Sequence, residues 1–197
     1  MTDFEKVFEI IDKNSGIITT KEVRDNNINT TILTRLVKEN LIVRISKGYY
    51  SLPNLFIDNY YKLTLNSKNA IYSHDTALYF YDLTDRTPVI FDITVPIGYN
   101  GILRKNNNVI LHYVKRNVLE LGLCMIESPF GMKIKVYDVE RTICDIIKNK
   151  NKIDSEIFTK ALNRYSKSKS KDLNKLMRYA KILKIDKKVR MYMEVLI

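Results

Sequence analysis

The side chains that most enzymes use for catalysis are sparse in this 197-residue sequence. It has only two histidines, His74 and His112, and neither has the spacing of a metal-binding motif such as HExxH or HxxxH. It also has no glycine-rich phosphate loop and no GxSxG nucleophile elbow. His74 stands where a helix is expected to begin, so we interpret it as a capping or structural residue rather than a base.

A metal-dependent nuclease would need acids and a lysine at strand ends. Asp92, Glu127, Lys133 and Lys135 are of the right types, but a turn at residues 129–131 separates Glu127 from the two lysines. We therefore predict that the protein is not an enzyme and that it has no catalytic residues, no metal site and no cofactor.

The two cysteines and the apolar pattern indicate the compartment. Cys124 and Cys144 lack CxxC spacing and a neighbouring histidine, so we expect two buried, reduced thiols. No apolar run approaches the roughly 18 residues of a membrane span, and residues 1–12 carry acids where a signal peptide carries Lys or Arg. The sequence thus predicts a cytoplasmic protein.

Residues 29–39 suggest a different chemistry, that of DNA recognition. Asn29 or Thr30 can cap a helix, and a projection at 100° per residue places its apolar side chains on one face. The opposite face collects hydroxyls and cations, which can hydrogen-bond phosphates and base edges in a major groove. These outward residues are Thr31, Thr34, Arg35 and Lys38.

The neighbouring elements match a winged helix-turn-helix. A helix over 3–13, an extended link at 16–19 and a short helix from Thr19 or Thr20 precede the recognition helix. Strands over 41–45 and 49–52 follow it, and the tip Ser46-Lys47-Gly48 would form the wing. We predict a DNA-binding domain over residues 1–52. Its predicted DNA contacts are Thr30, Thr31, Thr34, Arg35, Lys38, Arg44, Lys47 and Tyr49.

The rest of the chain predicts an α+β arrangement. Residues 53–72 are expected to be a connecting segment, and residues 73–197 a mixed C-terminal domain. Predicted strands cover 89–95, 109–114, 123–127 and 132–136, and predicted helices cover 76–83, 139–148, 156–165, 171–183 and 187–196.

The basic charge is concentrated near the C-terminus. Of a total net charge of +11, residues 1–52 hold +1 (8 basic, 7 acidic), residues 53–145 hold 0, and residues 146–197 hold +10 (15 basic, 5 acidic). Phosphate contacts supply much of DNA-binding affinity, so a domain with net charge +1 needs help from elsewhere. We expect supplementary phosphate contacts from Lys167, Lys169, Lys171, Lys175, Arg178 and Lys181.

The order of features resembles the AbiEi-type antitoxins of bacterial abortive-infection, or type IV, toxin–antitoxin systems. The resemblance rests first on the winged helix, with Ile18–Val23, Thr30–Asn40 and the Ser46–Tyr50 wing. Three further segments follow in the same order along the chain: Tyr72–Leu78, Phe91–Pro96 and Val139–Asp145.

This resemblance implies an antitoxin in phage defence that also represses its own operon by binding inverted repeats in promoter DNA. It implies a nucleotidyltransferase-type toxin as the functional partner, opposed without a stable complex. The Gly-Ser and Asp-x-Asp motifs of such a toxin do not occur in this chain.

Two alternatives stay open at this stage. The C-terminal lysines could serve an RNA-binding or nucleic-acid-processing protein, which a preference for RNA or cleavage of a probe would reveal. The winged helix could instead be a protein-interaction module, which indifference to loss of the Arg35 and Lys38 charges would reveal.

Overall fold

The computed structural model describes residues 2–196, and its mixed α+β class agrees with the prediction. Its contacts divide the chain into two compact units, one ending at Asn66 and the other starting at Ser67. Met1 and Ile197, the ends of the two predicted domains, lie outside the described residues.

Among its described residues, the first unit contains four helices and three short strands. In chain order these are α1 (Asp3–Lys13), β1 (Ile17–Thr19), α2 (Thr20–Asp25), α3 (Thr31–Lys38), β2 (Val43–Ser46), β3 (Tyr49–Ser51) and α4 (Asn59–Thr64). Two capping boxes fix the starts of α1 and α2: Thr2 pairs reciprocally with Glu5, and Thr19 with Glu22. Each box satisfies two backbone donors that a helix start otherwise leaves without partners.

The strands form an antiparallel sheet in the order β1-β3-β2. Residues 16–19, predicted to be only an extended link, therefore include a paired strand, because Ile17–Thr19 meet Tyr49–Ser51. The first strand of the hairpin begins at Val43, two residues later than predicted. Ile42 is 1% exposed and packs in the core with Leu33 and Leu36 of α3 instead.

The second unit combines a five-stranded sheet with five helices among its described residues. The strands are β4 (Ile71–Tyr72), β5 (Phe91–Pro96), β6 (Val109–Val114), β7 (Leu123–Glu127) and β8 (Lys133–Tyr137). The helices are α5 (His74–Phe80), α6 (Val139–Lys148), α7 (Ser155–Lys167), α8 (Leu173–Ile182) and α9 (Asp186–Leu196).

The sheet order is β6-β5-β4-β8-β7, with parallel pairs β5/β6 and β4/β8 and antiparallel pairs β4/β5 and β7/β8. The predicted connecting segment, residues 53–72, holds both α4 and β4. Since β4 is the middle strand of this sheet, its two residues are structural parts of the second unit. A strand of two residues is too short to show an alternation of apolar and polar side chains, so the sequence did not reveal it.

Helix α6 is the centre of the second unit. All eight residues from Glu140 to Ile147 are buried, and the apolar ones pack with α5, α7, α8 and α9. Arg141 is fully buried and donates from Nε to Asp145 at 3.0 and 3.1 Å and from Nη1 to two backbone carbonyls at 2.9 Å. Pairing and hydrogen bonding offset the cost of burying this charge, so the network ties α6 to Asp145 and to the carbonyls of Val118 and Leu121.

Candidate nucleic-acid interface

The outer face of α3 carries the side chains that the sequence predicted for it. Thr31, Thr34, Arg35 and Lys38 are exposed, while Leu33 and Leu36 are buried beneath them. The helix start is set by Asn29, whose Oδ1 accepts a hydrogen bond from the Thr31 amide at 3.0 Å. The predicted contact Thr30 is half-buried at the N-cap, so it is less accessible than the other four.

The hairpin presents two further exposed cations, Arg44 and Lys47. Gly48 turns the chain with φ +77°, a left-handed conformation that glycine adopts without strain. Its carbonyl accepts a hydrogen bond from the Thr20 amide at 2.9 Å, which ties the turn to the start of α2. Tyr49, predicted at the base of the wing, is half-buried and lies opposite Thr19 in the sheet.

The ion pairs of the first unit distinguish paired cations from available ones. Lys6, Lys13, Lys21 and Arg35 each lie within 4.0 Å of a carboxylate. Within residues 2–66, five exposed cations make no such pair: Arg24, Lys38, Arg44, Lys47 and Lys62. Three of these five belong to α3 and the hairpin. More than half of the available cations therefore lie on the segments that the sequence assigned to DNA.

The predicted phosphate contacts of the second unit are not equivalent. Lys167, Lys169, Arg178 and Lys181 are exposed, and Lys171 is half-buried with its ammonium 3.3 Å from the Ser168 carbonyl.

Lys175 differs from them. Its ammonium lies 3.0 Å from Asp138 and 3.1 Å from Glu140, and its side chain is only 28% exposed. Burial lowers the pKa of Lys175, but hydrogen bonds to both carboxylates outweigh burial and raise it above the usual value. This pairing makes Lys175 less available as a phosphate contact than the exposed lysines, because carboxylates within the fold balance its charge.

A buried polar cluster around His74 was not apparent from the sequence. The His74 and His112 rings stack with their centroids 3.6 Å apart, and His112 Nε2 lies 2.6 Å from Asp92 Oδ1. His74 contacts Ser73 through Nδ1 at 3.0 Å and Asn149 through Nε2 at 2.8 Å. Burial, followed by the charges of His112, Arg141 and Lys148, lowers the pKa of His74 well below its usual value.

The lowered pKa favours the neutral form of His74, and its hydrogen bonds to Ser73 and Asn149 are consistent with the predicted structural role. The helix cap, however, is Ser73, and His74 itself has a left-handed φ of +46°. Its partners come from positions 92, 112 and 149, too far apart in sequence for spacing to reveal them.

The residues considered for a nuclease are not assembled into one site. Glu127 lies opposite Lys133 at the start of the β7–β8 pair, and the Lys135 ammonium donates to the Lys68 carbonyl at 2.7 Å. Asp92 is on β5, which β4 and β8 separate from β7. Within residues 2–196, no group of three or more His, Cys, Asp or Glu side chains is arranged to hold a metal ion.

The cysteines follow the expectation in part. Both are free thiols, and Cys144 is buried, but Cys124 is only half-buried. Burial raises the pKa of Cys144 to about 12 and also raises that of Cys124, so neither is a reactive thiolate at neutral pH.

The comparisons with known proteins support the resemblance in the N-terminal part. Residues 5–53 match the family model described as transcriptional regulator, AbiEi antitoxin. No curated protein matches the sequence significantly.

Among solved structures, the chain is similar to the crystal structure of the RV2827C protein from Mycobacterium tuberculosis. The TM-score is 0.62 at 11% identity, and the alignment covers 98% of this chain and 77% of the other. At this identity the likeness concerns the fold. In the part of the chain that the structure describes, no helix is both long and apolar enough to cross a bilayer.

Proposed function

We propose that residues 1–52 form a winged helix-turn-helix that binds promoter DNA. In this proposal α3 enters the major groove and the β2–β3 hairpin acts as the wing. The observation that carries it is the coincidence of two features: the AbiEi regulator match over residues 5–53 contains the face where Thr31, Thr34, Arg35 and Lys38 are exposed together. Arg44, Lys47 and Tyr49 would contact the flanking backbone, and Thr30 would contribute at the helix start.

The biological role that we infer is a repressor of its own operon and the antitoxin of a type IV toxin–antitoxin pair. The DNA target would be inverted repeats in the promoter. The partner would be a nucleotidyltransferase-type toxin, counteracted in the cytoplasm without a stable complex during abortive phage infection. The family match supports the regulator and antitoxin role, and the protein would act by binding rather than by catalysis.

Residues 73–197 would form the antitoxin domain and supply further phosphate contacts. Lys167, Lys169, Lys171, Arg178 and Lys181 would lower the free energy of binding without regard to sequence, because they neutralise phosphates. Lys175 is omitted from this set because its two carboxylate partners already neutralise it.

A salt series tests both parts of the proposal. The full chain is titrated by fluorescence anisotropy against the duplex upstream of its own gene and against a random duplex of equal length. We expect a preference for the upstream duplex that Arg35→Ala and Lys38→Ala remove, each costing roughly 1 to 3 kcal/mol if it reads a base. Lys181→Ala should weaken binding to both duplexes alike and lower the salt slope by about 1.

The surface variant Lys21→Ala is a matched control, since Lys21 is exposed on α2 and pairs with Asp25. Equal affinity for both duplexes, unchanged by the α3 variants, would overturn the repressor proposal. Tighter binding to RNA of the same sequence would favour the alternative of an RNA-binding protein that uses the C-terminal lysines.

A further inference from the structure

A groove between α7 and α9 exposes apolar side chains that a soluble domain normally covers. It encloses a cavity of about 490 Å³ lined by Phe158 and Leu162 from α7 and by Met191, Tyr192 and Val195 from α9. Met191 is 55% exposed and Val195 83% exposed. Isolated exposed apolar residues are ordinary, but these two lie together on the wall of one groove, which is typical of a binding surface.

The spacing of these residues suits a helix as the occupant. Ser155, Phe158, Thr159 and Leu162 occupy positions i, i+3, i+4 and i+7 along one face of α7. Met191 and Val195 are four residues apart on α9. The α7 row extends over roughly two turns, about 11 Å, and the α9 row over about one turn. An amphipathic helix fills such a groove with residues at i, i+3, i+4 and i+7.

The rim of the groove is positive. The Lys150 ammonium lies 5.6 Å from the centre of the Phe158 ring and 5.3 Å from that of Tyr192, so it stands directly at the apolar floor. A second cavity of about 220 Å³ continues past Lys150, Met191 and Tyr192 and adds Lys148 and Lys188. The described residues that line the two cavities include these three lysines and no Asp or Glu.

We propose that this groove binds an acidic amphipathic helix of a protein partner. Apolar side chains of that helix would cover Phe158, Met191 and Val195, and its carboxylates would meet Lys148, Lys150 and Lys188. A second copy of this chain is a poor occupant, because residues 146–197 carry a net charge of +10 and would repel the same surface. The proposal concerns a protein contact and does not depend on the DNA-binding function.

A peptide selection tests the proposal without knowledge of the partner's identity, because it depends only on the expected charge and apolar pattern of the bound helix. A displayed library of helical peptides of about 16 residues, roughly four turns, is selected on the full-length protein. We expect enrichment of peptides with net negative charge and apolar residues at i, i+3 or i+4, and i+7. The best peptide is then synthesised with a fluorophore and titrated by anisotropy.

Three variants locate the site. Val195→Glu and Lys150→Glu should each weaken the peptide about tenfold or more, because one places a charge on the apolar wall and the other reverses the rim charge. Lys187→Glu is the matched control: it is exposed on α9, lines neither cavity and should reduce affinity less than about threefold. Far-ultraviolet circular dichroism confirms that the variants fold.

The proposal is overturned if the selection enriches no peptide, if the enriched peptides lack net negative charge, or if Val195→Glu binds them as well as the wild type. Vesicles of phosphatidylcholine with phosphatidylserine provide a competing probe. Vesicle binding that Val195→Glu abolishes, without any peptide binding, would assign the groove to a membrane surface instead and would likewise overturn the proposal.

Discussion

Arg35 donates a hydrogen bond from Nε to Oε1 of Glu39 at 2.8 Å, one turn further along α3. Both side chains are exposed, so solvent screens the pair and it contributes little to stability. The pair does, however, hold the guanidinium against its own helix. While Glu39 occupies Nε, only the two Nη groups of Arg35 remain to contact a base or a phosphate.

From this relationship we expect Glu39→Gln to strengthen DNA binding. The change frees Arg35 and removes a negative charge from the proposed interface, which should raise affinity about threefold, or about 0.7 kcal/mol, at low salt. The matched control is Glu9→Gln, which breaks a similar i,i+4 pair with Lys13 on α1. Anisotropy titrations that show no difference between the two variants would place Glu39 outside the DNA interface.

A second prediction concerns Lys175, whose two carboxylate partners include the buried Glu140, 5% exposed. Lys175→Met keeps the aliphatic packing but leaves Glu140 without its cation, so we expect a loss of about 2 kcal/mol in the free energy of unfolding. Lys181→Met is the control, because Lys181 is exposed and makes no ion pair among the described residues.

Urea unfolding measures the loss of stability, and DNA titration at several salt concentrations measures whether Lys175 contacts phosphates. Lys175→Met should leave the salt slope of DNA binding unchanged, whereas Lys181→Met should lower it. If Lys175→Met is instead as stable as the wild type and binds DNA more weakly, the prediction is wrong and the Lys175 ammonium contacts phosphates.

The third prediction is that acid destabilises the second unit through His74. A histidine with a lowered pKa in the folded state takes up protons only on unfolding, so stability is lost as pH falls below about 6.5, the unfolded value. Between pH 7.5 and 5.5 the contribution of His74 should be a loss of about 1 kcal/mol. Asp75 partly offsets this loss, because burial raises its pKa to about 6 and protonation of Asp75 then favours the folded state. His74→Asn, which tolerates the left-handed backbone, should be less stable at pH 7.5 but should lack this additional slope.

Urea midpoints of the wild type and of His74→Asn, measured between pH 5.5 and 7.5, test this prediction. Parallel curves would show that His74 does not titrate on unfolding. His112→Asn tests the stacked partner, since it removes one of the charges that lower the pKa of His74 and should make the slope shallower.

The fourth prediction concerns Gly122, which has φ +76°. A Cβ atom there would lie 2.5 Å from Cβ of the buried Arg141. Gly122→Ala should therefore cost about 3 kcal/mol, from backbone strain and displacement of Arg141 together. Gly131→Ala isolates the backbone part, because Gly131 also has a positive φ but no atom within 4 Å of the added Cβ; it should cost only about 1 kcal/mol. Equal thermal shifts for the two variants would contradict the proposed clash.

The local sequence pattern was sufficient to predict most of the helices and strands. The predicted helices over 3–13 and 139–148 coincide with α1 and α6, because their caps, Thr2 and Asp138, and their apolar spacing are contained in one short stretch. The exposed face of α3 was likewise predictable, since helical periodicity alone separates Leu33 and Leu36 from Arg35 and Lys38.

Other features depend on partners that are distant in sequence. The two-residue strand β4 is held by β5 and β8, so its own residues carry no signal of its central position. Lys175 has the spacing of a solvent-facing lysine, but the packing of α8 against α6 brings it to Asp138 and Glu140.

By itself, the sequence determined where α1 and α6 begin and end, which face of α3 is apolar, and that the positive charge is concentrated in residues 146–197, because these properties depend on neighbours within a few positions. Only the tertiary structure decided which cations stay available to a ligand, how His74 meets His112 and Asn149, and that Lys150 stands over Phe158 and Tyr192. These contacts join residues up to 75 positions apart, and only the packing of the folded chain fixes such distances.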